Sequence, residues 1–438
     1  MTTSDAAPRL RVLVAGAGGF IGRAVAAALI EAGHQVVAAV RPGALEGLAG
    51  TQAVDCDFRR DIDAAAWRPR LSGIDAVVNC VGILRESAKG DFERVHRLAP
   101  RALFQACREA GIRRTVQISA LGDPHDGAFV ASKHALDADL AALDPDVTVL
   151  RPSLVYSVHG SYGGSSLLRA MAGLPWLLPL PGTGDQKLQP IAVEDLARAV
   201  VALLVGATAR GETLDAAGPD TMTMRDYLHA WRGWLRLPPA HELRVPLALL
   251  RPLAAASDLT VRGPLGRTML RMLERGNAST PERTVRFCDA CGFTPSRLGF
   301  MLAAHPAAVQ DRWHARLHVI RPLMLLALAV LWLVSGVVGL LLPLEVSATL
   351  LAPLGLGEPA LRGLVWSASA LDILVGAALL VPAWSRVALQ VMLVMLAAYT
   401  VGLGLLHPPL WLDPAGGLLK NLALLPMVLA LLATVERR

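Results

Sequence analysis

Residues 11–22 read RVLVAGAGGFIG. Five residues of an apolar, β-branched run (10–15) end in three glycines spaced G-x-x-G-x-x-G, at Gly16, Gly19 and Gly22. Such a run reads as a strand buried on both faces. Residues 23–32 then carry a helical pattern closed by Gly33, and 34–40 form a second strand. Glycines in that turn let backbone approach a diphosphate, and the helix behind it offers unpaired N–H groups and a favourable dipole. The motif carries weight because it sits between a strand and a helix; the bare spacing would not.

Outward from this unit the alternation continues. Strands are predicted at 53–57, 74–80, 115–119 and 147–150, with a helix over 94–110 and an amphipathic helix over 190–205. Strands alternating with helices indicate a doubly wound α/β parallel sheet of the Rossmann type. An acidic residue closing the second strand would hold the 2′-hydroxyl of NAD. Val40 and Arg41 stand there instead. A cation suits a 2′-phosphate, so NADP(H) is favoured over NAD(H), unless Arg41 is only a solvated loop charge.

From Leu323 the solvent changes. Residues 323–342 hold no charge for twenty positions, a length that matches a bilayer core. Further spans are predicted at 363–383, 387–406 and 418–435, the last containing Pro426 and starting near Lys420. Residues 344–360, broken by Pro353, Gly355 and Pro359, read as a loop or interfacial helix. The chain therefore divides into a nucleotide-binding domain over 9–300, with a substrate region from about 153, a juxtamembrane linker over 301–322, and an all-α four-helix transmembrane bundle over 323–438. Residues 323–438 carry balanced charge, so the net +6 lies in the first 322 residues, as suits a domain beside an anionic membrane face. No basic cluster with interleaved aromatics is present, which argues against nucleic acid as a partner. Four spans place both chain ends on one side. That side would hold Arg312, Arg316, Arg321, Arg386, Arg437 and Arg438, against Arg362 and Lys420 opposite. The bias predicts an inner (plasma) membrane protein with a cytoplasmic N-terminal domain and C-terminus. The polar residues before Arg9 offer no secretory leader.

Five scattered cysteines indicate reduced thiols; Cys288 and Cys291 form a lone C-x-x-C without a second pair, and no metal site is assigned. Asp372 falls mid-span in the second predicted helix, where a carboxylate must face the bundle interior. It reads either as a proton or quinone site or as a packing hydrogen bond, with Lys420, His407 and Tyr399 as candidate partners.

The ordered segments GAGGFIG (16–22), VDCDF (54–58), VVNCVG (77–82), QISALG (117–122), FVASK (129–133), LRPSLVY (150–156) and QPIAVEDLARAV (189–200) resemble the extended or atypical short-chain dehydrogenase/reductase superfamily. The chain is most similar to the branch containing the nucleotide-binding accessory subunit of respiratory complex I. The resemblance implies that Gly16, Gly19 and Gly22 contact the pyrophosphate, with Gly18, Phe20 and Ile21 completing the turn. It implies Arg41 at the adenosine ribose or its phosphate, Asp57 and Phe58 flanking adenine, Cys80, Val81 and Gly82 lining the nicotinamide side, and Lys133 at the nicotinamide ribose. The four spans resemble the DoxX-like membrane family.

One departure bears on activity. The family places a tyrosine four residues before the lysine, and a serine one strand earlier; lysine lowers the phenol pKa so that it passes a proton as hydride moves. Lys133 and Ser119 are present, but the tyrosine position is Phe129. His125, Asp126 and Tyr156 are candidate replacements, and His96 stands where the family commonly has asparagine. Epimerase and dehydratase reactions also rely on the missing tyrosine. The resemblance implies a membrane-anchored oxidoreductase; the alternative is a non-catalytic redox-sensing or assembly module of a membrane redox complex. The apolar stretch 160–180, with Tyr162 and Trp176, suits a hydrophobic small molecule such as a quinone, isoprenoid or lipid, or else packs the loop onto the sheet.

Overall fold

The computed structural model describes residues 9–41, 50–144, 146–206, 209–259, 266–414 and 416–435. Two compact units result, Met1–Arg316 and Leu317–Arg438.

The first unit is built on seven parallel strands: β1 (Arg11–Ala15), β2 (Gln35–Val40), β3 (Gln52–Asp55), β4 (Ala76–Asn79), β5 (Arg114–Ile118), β6 (Thr148–Pro152) and β7 (Thr213–Ala216), in the order β7-β6-β5-β4-β1-β2-β3. The doubly wound sheet is thus as expected, with β7 added at the edge. Strand periodicity divides the apolar side chains between two cores. Val12 and Val14 face the helices Phe20–Glu31 and Val193–Val205, through Val25, Leu29, Leu196 and Val200. Leu13 and Ala15 face the other layer, where helix Ala99–Glu109 brings Leu103 and Cys107. A third core, around Tyr156, Leu178, Leu180, Tyr227, Trp231 and Met301, supports the region after β6. The chain runs outward from β1 to β3 and returns to β4 on the opposite side of β1. The order therefore reverses between the carboxyl ends of β1 and β4, where ligands of open α/β sheets bind.

Among the described residues, three helices are long and apolar enough to cross a membrane: Val309–Leu341, which begins in the first unit, and Glu358–Leu379 and Ser385–Leu406 in the second. The first starts at Val309, well before residue 323, so most of the stretch expected as linker is helical. Residues 344–354 form a short helix and a 3-10 turn. The fourth expected span is the 16-residue helix Leu419–Thr434. It is about 24 Å long, short of the ~30 Å hydrocarbon core. Arg437 and Arg438, which entered the orientation argument, lie outside the described residues. Leu328, Trp332, Leu379, Met392 and Leu431 fill the interior of the bundle, while Leu374, Val394 and Leu405 point outward and exposed. Apolar surface on both sides of the helices suits a lipid solvent.

Candidate functional site

The glycine turn is a cradle that side chains would fill. Gly16 has φ +77°, and a Cβ there would lie 2.9 Å from Val81 Cγ2. This ties the end of β1 to the loop after β4, across the switch point. At Gly22 a Cβ would overlap the Gly16 carbonyl, 2.8 Å from its carbon. Gly19 caps helix Phe20–Glu31 with no side-chain hydrogen bond, and is exposed. The first N–H groups of the helix are therefore open to an anion. Gly18 accepts from Arg23 Nε through its carbonyl at 3.1 Å. Phe20 stacks on Tyr162 with centroids 6.3 Å apart, which brings the substrate-region loop over the turn. Ile21 and the buried Gly22 pack the helix to the sheet. These residues fit a dinucleotide: the donor set is backbone N–H at a helix terminus, and the space is that of the missing side chains.

Arg41 is exposed directly after β2. Beyond β3, Asp57 receives the Arg59 N–H at 3.0 Å, and Phe58 is buried edge-on to Trp67. Cys80, Val81 and Gly82 follow β4. Burial pushes the Cys80 thiol up to about 12, so it is a neutral, unreactive group there.

A hydrogen-bond network surrounds Gly82. Lys133 Nζ donates to Val81 O at 2.8 Å and to Ile118 O at 3.0 Å. Burial lowers its pKa to about 8, against the opposing pull of Asp137. His96 Nε2 accepts the Ile83 N–H at 2.9 Å. Its Nδ1 therefore carries the ring proton and meets Ser132 Oγ at 2.8 Å. Ser132 in turn donates to the Phe129 carbonyl at 3.0 Å. The ring lies between Phe92 and the edge of Phe129, at 5.1 and 5.5 Å. Burial, reinforced by the Lys133 charge, lowers the His96 pKa to about 2. His96 is thus a neutral clamp joining the β4 loop to helix Ala128–Leu143. A π-helical turn, Glu93–Leu98, presents it.

Ser119 donates to Asp137 Oδ2 at 2.8 Å, and the same oxygen takes Arg151 Nε at 2.9 Å. The hydroxyl proton of Ser119 is committed to that pair. The candidate tyrosine replacements lie elsewhere. His125 is exposed and paired with Asp123, Asp126 is held by Arg275, and Tyr156 is wholly buried against Trp231. Gly163 lies so close to Leu84 that a Cβ would be 2.7 Å from its Cδ1. Phe20, Leu84 and Tyr162 thus place apolar side chains beside the glycine turn.

Within the second unit Asp372 is buried and accepts from Tyr399 Oη at 3.5 Å. Of the other expected partners, His407 bonds the Leu350 carbonyl and Lys420 is exposed. The neighbouring Thr400 takes Asn421 Nδ2 at 2.9 Å.

Residues 12–215 match the NAD dependent epimerase/dehydratase family and residues 329–429 the DoxX-like family. The chain thus joins an epimerase/dehydratase-type domain of the short-chain dehydrogenase kind to a DoxX-like membrane domain. It is 29% identical over 296 residues to NADH dehydrogenase [ubiquinone] 1 alpha subcomplex subunit 9, mitochondrial, of Arabidopsis thaliana, covering 62% of this chain and 70% of that protein. For the mouse counterpart identity is 27%, and the chain spans only 56% of its length. Ceramide reductase of Caulobacter vibrioides is 28% identical over 44% of this chain and 60% of its own. The fold is shared with the solved structures of UDP-glucuronic acid 4-epimerase from Bacillus cereus (18% identity, TM-score 0.50, 68% of this chain and 98% of that one) and of UDP-glucose 4-epimerase from Thermotoga maritima (14%, 0.51, 67% and 98%).

Proposed function

We propose that the protein is a membrane-anchored, NADP(H)-binding oxidoreductase whose substrate is hydrophobic. The observation that carries this reading is the glycine cradle at the switch point, open at an uncapped helix N-terminus and margined by apolar side chains. Arg41, in place of an acid at the end of β2, supports NADP(H) over NAD(H). Gly16, Gly19 and Gly22 would hold the diphosphate; Cys80, Val81 and Gly82 would lie along the nicotinamide. When bound, the cofactor supplies hydride. Lys133 and His96 fix the loop that receives the ring, and neither is free to move a proton. The proton for a reduced substrate then comes from water. Reductase relatives named for ceramide and for divinyl chlorophyllide a support an apolar substrate.

A second reading, a non-catalytic nucleotide-binding module of a membrane redox complex, is favoured by Phe129 and the neutral His96 and by the complex I relatives. In either reading the nucleotide domain lies on the cytoplasmic side of the inner (plasma) membrane. Calorimetric titration of NADPH and NADH into the full chain in lipid nanodiscs tests the proposal. Micromolar NADPH binding, tighter than NADH, is expected. Absence of binding by either nucleotide refutes both readings.

A further inference from the structure

The region after β6 contains a parallel two-stranded ribbon, Leu177–Pro181 beside His241–Val245, in the register Leu177↔His241 and Leu243↔Pro179. Its inner face is settled. Leu178 and Leu180 are fully buried, and Glu242 is engaged by His229 and Arg225. The outer face should then be polar. Instead it presents Leu177 and Leu243, 46% and 48% exposed, beside Pro179, with Trp176 at its end 77% exposed and His241 its one polar side chain, opposite Leu177.

This exposure is built. Arg232, itself buried, donates to the carbonyls of Ala172, Leu174 and Pro175 at 3.0, 2.7 and 3.1 Å, and to that of Pro238 at 2.7 Å. One guanidinium thereby fixes the entries to both strands and holds Trp176 outward. The same loop packs on the end of this unit: a Cβ at Gly173 would lie 2.8 Å from that of Ala315. Two residues before Ala315 is Trp313, 62% exposed, and eight residues after it the uncharged apolar stretch begins at Leu323. Arg312 and Arg316 flank Trp313 in the sequence and supply cationic groups beside it. Rigid aromatic and aliphatic groups flanked by cations match the interfacial zone of a bilayer with anionic headgroups.

We propose that the outer face of this ribbon, Trp176, Leu177, Pro179 and Leu243, is a lipid-docking surface that seats in the headgroup–acyl boundary. The occupant is the bilayer because the clamped loop packs on Ala315, only eight residues along the chain from the uncharged stretch that begins at Leu323. The surface needs only membrane attachment, and its failure leaves the cofactor reading untouched.

The test is collision-sensitive spin labelling of the full chain in liposomes of phosphatidylcholine and phosphatidylglycerol. Labels are placed through Trp176→Cys and Leu243→Cys, with Glu31→Cys as the water-exposed reference and the unsubstituted chain as the blank for native cysteines. At 176 and 243 the ratio of oxygen to nickel-chelate collisions is expected about tenfold above the reference, as for groups 5–10 Å into the boundary. Leu177→Glu should lower that ratio at 243 without unfolding the protein, since residue 177 is already exposed. Equal nickel access at 176, 243 and 31 overturns the proposal. Dipolar broadening that vanishes on dilution with unlabelled chain also overturns it, by making the occupant a second copy.

Discussion

Gly19→Asp separates fold from ligand binding at a single atom position. Gly19 has extended backbone, φ −81° and ψ 172°, which any residue adopts. Aspartate is a preferred helix cap and places a negative charge at the positive end of the dipole, together about 0.5–1 kcal/mol in favour of the helix. Its Cβ would lie 3.2 Å from the Gly16 carbonyl oxygen, a tight contact that offsets part of this gain. Net stability should therefore stay within about 1 kcal/mol of the parent. The ligand sees the opposite. A carboxylate roughly 5 Å from a diphosphate charge, at an effective dielectric near 20, costs about 3 kcal/mol, or roughly 100-fold in Kd. Gly19→Ala carries the same Cβ without the charge, and should weaken binding far less. Calorimetric NADPH titration of the three proteins, paired with their thermal midpoints, gives both numbers. A folded Gly19→Asp that binds NADPH as tightly as Gly19→Ala would refute the claim that the helix N-terminus receives the diphosphate.

Phe129→Tyr restores a phenol four residues before Lys133; NADPH-dependent reduction of a long-chain aldehyde should rise about a hundredfold, the lower end for a positioned general acid, and no gain would favour the binding-module reading. His96 is neutral in the fold, with its pKa lowered to about 2 from an ordinary value near 6.5. Its unfolded form takes up a proton first, so stability is fully present above pH 6.5 and is lost below it by about 1.4 kcal/mol per pH unit. Denaturation followed between pH 7 and 5 should show this slope in the parent and a shallower one in His96→Asn. Asp372→Asn keeps an acceptor for Tyr399 and should leave the bundle's thermal midpoint nearly unchanged, whereas Asp372→Leu leaves a half-buried hydroxyl without its acceptor and should cost about 1 kcal/mol. At Gly336 a Cβ would lie 2.7 Å from Ile373 Cγ1, so Gly336→Leu should separate the first two apolar helices and lower that midpoint further.

The parts legible in the sequence were those that obey one local rule. Val12–Ala15 is buried on both faces and reads as an unbroken apolar run, and three glycines mark a turn whose geometry excludes side chains. The seventh strand was missed because Thr213–Ala216 carries Asp215, a buried carboxylate paired with Ser279 and Arg283 that looks like a loop residue. The ribbon was missed for a related reason: Pro179 and Pro181 remove two donors and argue against a strand, yet a two-stranded edge tolerates them. The site chemistry was half legible. Phe129 announced the loss of the phenol, but the consequence depends on what surrounds it. His96 reaches Ile83 and Ser132 only because the π-helical turn turns its ring toward Gly82, and no spacing rule encodes that. The clamp also limits what restoring the phenol can do. Its Nε2 is occupied as an acceptor and its Nδ1 proton is held by Ser132, so it can neither donate to nor relay for a tyrosine at 129. Lys133 Nζ is itself committed to two carbonyls, so the proton that such a tyrosine delivers must be replenished by water. A gain of activity from Phe129→Tyr would therefore locate a water path beside residue 129.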